Sequence, residues 1–230
     1  QKERSRNATA VEEGDWVEVN PYVATEFTGY DSIVEYGVKL LKYRTVKSKN
    51  KESVQLVFDR SPFYAESGGQ VGDCGWIEYE NGEKIEIVNT VKENGLPVHI
   101  ATTVPSNPQA TFTAWIDAAR REAVTNNHTA THLLHKALRE TLGLHIEQKG
   151  SSVTATGFRF DFSHYEAMTP DQLKEVEDMV NKAISEAMDV DCRVMPIEEA
   201  NKLGAMSLFG EKYGSEVRVV KMGDYSLEFC

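Results

Sequence analysis

The chain has 230 residues, of which 40% are hydrophobic and 27% charged, and its formal net charge is -11 at pH 7. That length accommodates one large or two modest domains of ordinary globular composition. The acidic balance argues against uniform counterion-driven binding along a nucleic acid, and neither a membrane-length apolar run nor a signal peptide is present. Gln1 opens the chain and a candidate functional residue closes it, so the sequence reads as an excised fragment.

Residues 1–13 are polar and aperiodic, which predicts a linker or the tail of a preceding domain. From Trp16 to Ile116 the pattern is that of short strands. Trp16–Val19, Val38–Val46, Val54–Phe58, Trp76–Tyr79, Lys84–Val91, Val98–Thr103 and Thr111–Ile116 are rich in β-branched and aromatic residues. Asn81-Gly82 and Asn94-Gly95 fall between such runs, and Asn-Gly favours a tight hairpin because both residues tolerate positive φ. Residues 14–116 are therefore expected to form a small antiparallel β-barrel, with a sandwich as the alternative.

From Asp117 the period changes. Ala130, Leu133, Leu134, Ala137, Leu138 and Leu142 trace a helical stripe that Gly143 stops. Asn126 or Asn127 is the expected cap, which would make the segment from Asp117 a separate short helix. Leu144–Phe162 returns to strands. Thr169-Pro170-Asp171-Gln172 is a capping box with proline at the first helical position, and it predicts a second helix. Leu173, Val176, Val180, Ala183, Ile184 and Ala187 form the expected buried face. Val190–Met195 and Val217–Met222 read as strands flanking a short helix near Ile197–Leu203. Residues 117–230 are thus expected to be α+β, with helices packed on an antiparallel sheet.

The three cysteines, Cys74, Cys192 and Cys230, are too widely spaced for a disulfide framework, and an intracellular setting fits them better. Cys192 lies in an alternating run and is expected to be a small buried hydrophobe, while Cys74 sits in a loop and is expected to be inert. Arg120, Arg121, Lys136, Arg139, Lys149 and Arg159 surround the histidine segment. They form either a local basic face or an ordinary solvated one.

His128 and His132 are four residues apart, which on a helix places them on one face, about 5–6 Å apart at Cβ, and suits two imidazoles sharing one metal ion. Among six histidines such a pair also arises by chance, and His135 is a further neighbour. No His-Glu-x-x-His, Walker, dinucleotide or Gly-x-Ser-x-Gly motif is present. The run Ser61–Asp73 contains Ser67-Gly68-Gly69-Gln70-Val71-Gly72, whose glycines permit close backbone approach to a ligand or simply a wide turn. Gln148 follows the histidine helix, where an amide can orient a water or a carbonyl. Arg159 lies in an alternating strand and suits an ion pair.

Together these residues resemble the editing region of the alanyl-tRNA synthetase family. The resemblance runs through Ser61–Asp73, Asn127–Leu134, Gln148–Ser151, Arg159–His164, Leu208–Val220 and Ser226–Cys230. Its most specific part is Leu208-Phe209-Gly210-Glu211-Lys212-Tyr213-Gly214 followed by Val217-Arg218-Val219-Val220. Arg4, Arg6 and Asn7 look like the end of the family's tRNA-recognition domain.

The resemblance implies one zinc ion held by His128, His132 and Cys230, with a fourth ligand, a histidine four residues after the cysteine, beyond this chain. It implies Thr131 and Gln148 as catalytic-pocket residues, and Ser67, Gly68, Gly69, Gly72 and Arg159 as substrate-binding residues. The implied partner is the aminoacylated 3′ end of tRNA(Ala), in the cytoplasm and without a membrane. The implied reaction is hydrolysis of seryl or glycyl esters formed by mistake. ATP and Mg2+ serve only the family's aminoacylation module, which nothing in this sequence matches. A free-standing alanyl-tRNA editing protein, a threonyl-tRNA synthetase editing domain and a non-catalytic tRNA-binding module are the alternatives. The glycine-rich loop fits the threonyl case poorly.

Overall fold

The alternating strands of the first half close into a barrel. In the computed structural model, which describes residues 12–48, 51–206 and 214–230, six antiparallel strands follow one another around it. Their order is Val34–Ser48, Thr111–Ile116, Gly75–Glu78, Lys84–Glu93, Leu96–Ala101 and Lys51–Phe58, and the last pairs back onto the first. Closure leaves none of the six with an unpaired edge. Period-2 alternation fills the interior with Leu40, Leu56, Phe58, Ile77, Ile87 and Phe112, among others. At the predicted hairpin, Asn94 and Gly95 both take positive φ, 50° and 84°, as a two-residue type I′ turn requires. The other Asn-Gly turn is held by Asn81, whose side-chain oxygen accepts from the Glu83 N–H at 2.9 Å.

A histidine sits inside this core. His99 has no exposed surface. Its Nδ1 lies 3.1 Å from the Leu56 carbonyl and its Nε2 2.6 Å from Ser61 Oγ. A carbonyl only accepts, so Nδ1 carries the proton and Nε2 accepts from the Ser61 hydroxyl. Arg121 also serves the barrel unit. Its Nε donates to both oxygens of the buried Asp73 carboxylate, and its other nitrogens donate to the Gly29 and Pro62 carbonyls at 2.7 and 3.1 Å.

The described residues up to Ser67, with Val71–Glu122, form this first compact unit, and Gly68–Gln70 with Ala123–Cys230 form the second. Helix α1 spans Ala118–Leu142 without a break. Its cap is Asp117, whose carboxylate accepts from the Arg120 N–H at 3.0 Å. The expected separate helix and cap at Asn126 or Asn127 are therefore corrected. Both asparagines stay helical, and Asn127 spends its amide on the Thr154 carbonyl at 2.8 Å. Gly143 terminates α1 with φ of +113°.

In the second unit a hairpin of Gln148–Thr154 and Gly157–Phe162 precedes α2, Pro170–Ser185. The capping box of α2 forms as predicted, with Thr169 and Gln172 exchanging hydrogen bonds behind Pro170. A three-stranded antiparallel sheet follows, ordered Val190–Pro196, Glu216–Met222, Ser226–Phe229, with the short α3, Ile197–Lys202, after its first strand. Leu133 of α1 packs with Ala183 of α2 and with Val220 and Met222 of the sheet. Ala137 and Leu138 pack with Ile146 and Val176.

Three expected core residues of α2 are instead exposed, namely Leu173, Ile184 and Ala187. The buried stripe is centred on Val176 and Ala183, and Leu173 and Ile184 lie on its flank. Cys192 is likewise exposed, because Val190–Pro196 is an edge strand paired on one side only among the described residues. Among those residues no helix is long and apolar enough to cross a membrane.

Burial pushes the His99 pKa down from 6.5 to about 4, although its bond to the Leu56 carbonyl opposes this. Between those values the unfolded chain holds a proton that the folded barrel excludes. This contribution to stability is therefore complete above about pH 6.5 and is lost as the pH falls toward 4, at up to ~1.4 kcal/mol per pH unit. An NMR titration of the folded protein is expected to keep the His99 ring neutral at pH 5, whereas a midpoint near 6.5 would contradict the assignment.

Candidate metal centre

Helical spacing brings His128 and His132 together one turn apart on α1, with ring centroids 5.3 Å apart and planes 16° from parallel. The third residue arrives from the sheet. Cys230 follows the strand Ser226–Phe229, and its N–H donates to the Arg218 carbonyl at 2.9 Å. Arg218 returns a guanidinium N–H to Cys230 Sγ at 3.2 Å. The ligand atoms of His128, His132 and Cys230 all lie within 4.8 Å of one another, and Cys230 Sγ is 3.7 Å from His128 Nε2.

The outer atoms of both rings are held. His132 Nδ1 lies 2.7 Å from Glu228 Oε2, and the other oxygen of that carboxylate accepts from the Ser226 hydroxyl at 2.5 Å. His128 Nδ1 lies 2.8 Å from Gln70 Oε1. A proton kept on Nδ1 leaves Nε2 as the ligating nitrogen, the arrangement metal-bound histidines commonly use. His132 Nε2 is buried and makes no hydrogen bond. A buried polar atom without a partner is costly, and a cation between the two rings and the sulfur would supply one. Two imidazoles and a thiolate are also a donor set suited to zinc. The residues therefore fit the metal that the resemblance implies.

The electrostatics prepare the same set. Burial alone would raise the Cys230 thiol, but its contact with His128 and the nearby charge of His128 and His132 bring it down to about 5. Burial would lower His132, yet Cys230 and Glu228 outweigh it and raise the ring to about 9. Burial would raise Glu228, and His132 and His135 hold it down near 2. Cys230 is thus a thiolate at neutral pH, the form that binds metals.

The structure places the other predicted residues variously. Thr131 is buried beside His132, with its hydroxyl donating to the Asn127 carbonyl at 2.9 Å. Gln148 donates its amide to Ser151 Oγ at 3.2 Å. Gly68 and Gly69 belong to the second unit, whereas Ser67 and Gly72 belong to the first. Gly72 is pressed against barrel backbone, where an added Cβ would fall 1.9 Å from the Thr90 carbonyl oxygen. Arg159 is exposed and pairs with Asp161 at 3.1 Å. Each of the six basic residues has an acceptor. Asp73, Glu140, Glu147 and Asp161 bind Arg121, Lys136, Lys149 and Arg159, while the Gly72 and Ile146 carbonyls accept from Arg120 and Arg139. Leu208–Tyr213, like Arg4, Arg6 and Asn7, lies outside the described residues.

Sequence reasoning missed Glu228 and Gln70. Glu228 was within reach, because strand alternation puts it on the same side as Cys230, two residues on. His135, expected only as a further neighbour of the pair, is buried with Nδ1 3.5 Å from Glu228.

Residues 1–120 match the family model of class II (A) tRNA synthetases. The chain is 52% identical over 231 residues to an alanine–tRNA ligase of Bacteroides fragilis, 50% over 231 residues to that of Porphyromonas gingivalis and 45% over 236 residues to that of Acetivibrio thermocellus. These alignments take in 99–100% of this chain and 26% of each relative, so the chain spans 26% of the length of the curated relatives it matches.

Zinc must displace the His132 proton below pH 9, whereas Cys230 has already lost its own above about 5. Zinc affinity is expected to weaken about 10-fold per unit as the pH falls from 8.5 to 7, one proton being displaced. Competition titration with a chelating dye measures this slope, and an affinity independent of pH in that window would contradict it.

Proposed function

This chain belongs to the alanyl-tRNA synthetase family, and from that premise we propose that its second unit is an editing site, an ester hydrolase that frees serine or glycine from wrongly charged tRNA(Ala). The observation that carries the proposal is the convergence of His128, His132 and Cys230, with Glu228 and Gln70 behind the two rings.

The chemical need is specific. Glycine is smaller than alanine and cannot be kept out by a pocket that admits alanine. Serine adds a single hydroxyl, which a small pocket rejects only weakly. A second, hydrolytic site removes what the first admits. The bond to be cut is the ester between the aminoacyl carbonyl and the 3′-terminal ribose. Zinc held by the three ligands would act as a Lewis acid, polarising that carbonyl or making bound water more acidic.

The chain's own residues supply orientation. Glu228 keeps the His132 proton on Nδ1 and so leaves Nε2 available for the ion. Thr131 commits its hydroxyl proton to Asn127, which leaves the oxygen as an acceptor for a seryl hydroxyl. Gln148, anchored on Ser151, directs its carbonyl oxygen toward the substrate amine or water. Gly68 and Gly69 let backbone approach the aminoacyl group, and Arg159 contacts the tRNA end. The whole enzyme joins alanine to tRNA(Ala) with ATP and Mg2+ in the cytoplasm, and this region corrects its errors.

Hydrolysis of seryl-tRNA(Ala) by this chain with added zinc tests the reading. Loss of both imidazoles in His128→Ala with His132→Ala is expected to slow it by at least about 100-fold, since outer partners alone commonly cost 10–100-fold. Undiminished hydrolysis in the double variant, or tRNA binding by the parent chain without ester cleavage, would overturn it.

A further inference from the structure

The short stretch Gly68–Gln70 stands apart from the residues on either side of it, because it belongs to the second unit. It is tied there by backbone. The Val153 N–H donates to the Gly69 carbonyl at 2.8 Å, and Gln70 forms an isolated parallel bridge with Val153. Gly69 takes φ of +79°, and a Cβ built on it would lie 2.3 Å from Ser151 Oγ and 2.9 Å from the Ser151 carbonyl oxygen. Any side chain there must push the segment off the strand. The residue delivered by this crossing is Gln70, which is 4% exposed and directs Oε1 to His128 Nδ1 at 2.8 Å.

We propose that Gln70 is a positioning residue for the metal ligand His128, and that residue 69 is glycine in order to seat it. The inference rests on the metal reading of the site. His128 is less buried than His132 and stands on one helix face, so its ring needs a second anchor to hold Nε2 toward Cys230. The Gln70 amide oxygen provides that anchor and fixes the proton on Nδ1. Its neutrality also has a reason. A divalent cation, the Cys230 thiolate and the Glu228 carboxylate sum to zero charge, and a second carboxylate behind His128 would make the centre anionic. Such a centre would draw less electron density from a substrate carbonyl. The glycine-rich run thereby gains a role inside the protein: it carries an acceptor to the back of a ligand.

Three variants measured for zinc affinity, with the His128 Nδ1 proton followed by 15N-edited NMR on the zinc-loaded chain, test this. Gln70→Leu removes the acceptor and is expected to weaken zinc binding about 10–100-fold and expose the Nδ1 proton to rapid solvent exchange. Gln70→Glu restores an acceptor and should bind zinc within about 3-fold of the parent, with the proton again protected. Gly69→Ala leaves Gln70 intact and should reproduce Gln70→Leu, with circular dichroism reporting that the fold is kept. Parental affinity and a protected Nδ1 proton in both Gln70→Leu and Gly69→Ala would overturn the inference while leaving the metal reading standing. Failure of the parent chain to bind zinc would overturn both.

Discussion

The hydrogen bond between His132 and Glu228 is the constraint on which the rest of the second unit turns. It joins a helix to a sheet through two side chains that are 8% and 1% exposed, where an unmatched charge would be expensive. Helix and sheet must therefore meet in one register. That register is set one residue away, where Leu133 buries itself against Val220 and Met222. Hydrophobic packing places the histidine, and strand alternation places Glu228 and Cys230 on the side that receives it. The chemistry of the centre is in this sense a by-product of how α1 lies on the sheet. The thiolate, the anchored imidazoles and the orphaned His132 Nε2 follow from that one seating.

The barrel obeys a different logic. Its six strands satisfy one another's backbone groups by closure, and within its largely apolar interior the buried His99 is bonded to Leu56 and Ser61. A polar group in such a core is tolerated because both ring nitrogens have partners. Arg121, which in the sequence looks like part of a basic face, is spent holding Asp73 and two carbonyls of the same unit.

Much of this was legible in the sequence, because it depends on local rules. Asn94-Gly95 announced its hairpin through the φ values that only such residues accept readily, and Thr169 to Gln172 announced the start of α2 through reciprocal capping. The convergence of His128, His132 and Cys230 was readable from the helical spacing of the two histidines once the resemblance joined Cys230 to them. What escaped depended on contacts far apart in the chain. Asn126 and Asn127 look like caps, but Asn127 finds the Thr154 carbonyl and stays helical. Cys192 looks like a core residue, but its strand is at the edge of the sheet. Gln70 gave no signal of its own, since its meaning lies 58 residues away at His128.

One thiolate and two imidazoles of this chain converge on a site for a single zinc ion. X-ray absorption at the zinc K-edge, on the protein loaded with one equivalent of zinc, tests it most directly. A first shell with one sulfur at about 2.3 Å and two imidazole nitrogens at about 2.0–2.1 Å is expected, the sulfur vanishing in Cys230→Ser. A shell of nitrogen and oxygen only, unchanged by Cys230→Ser, would contradict it.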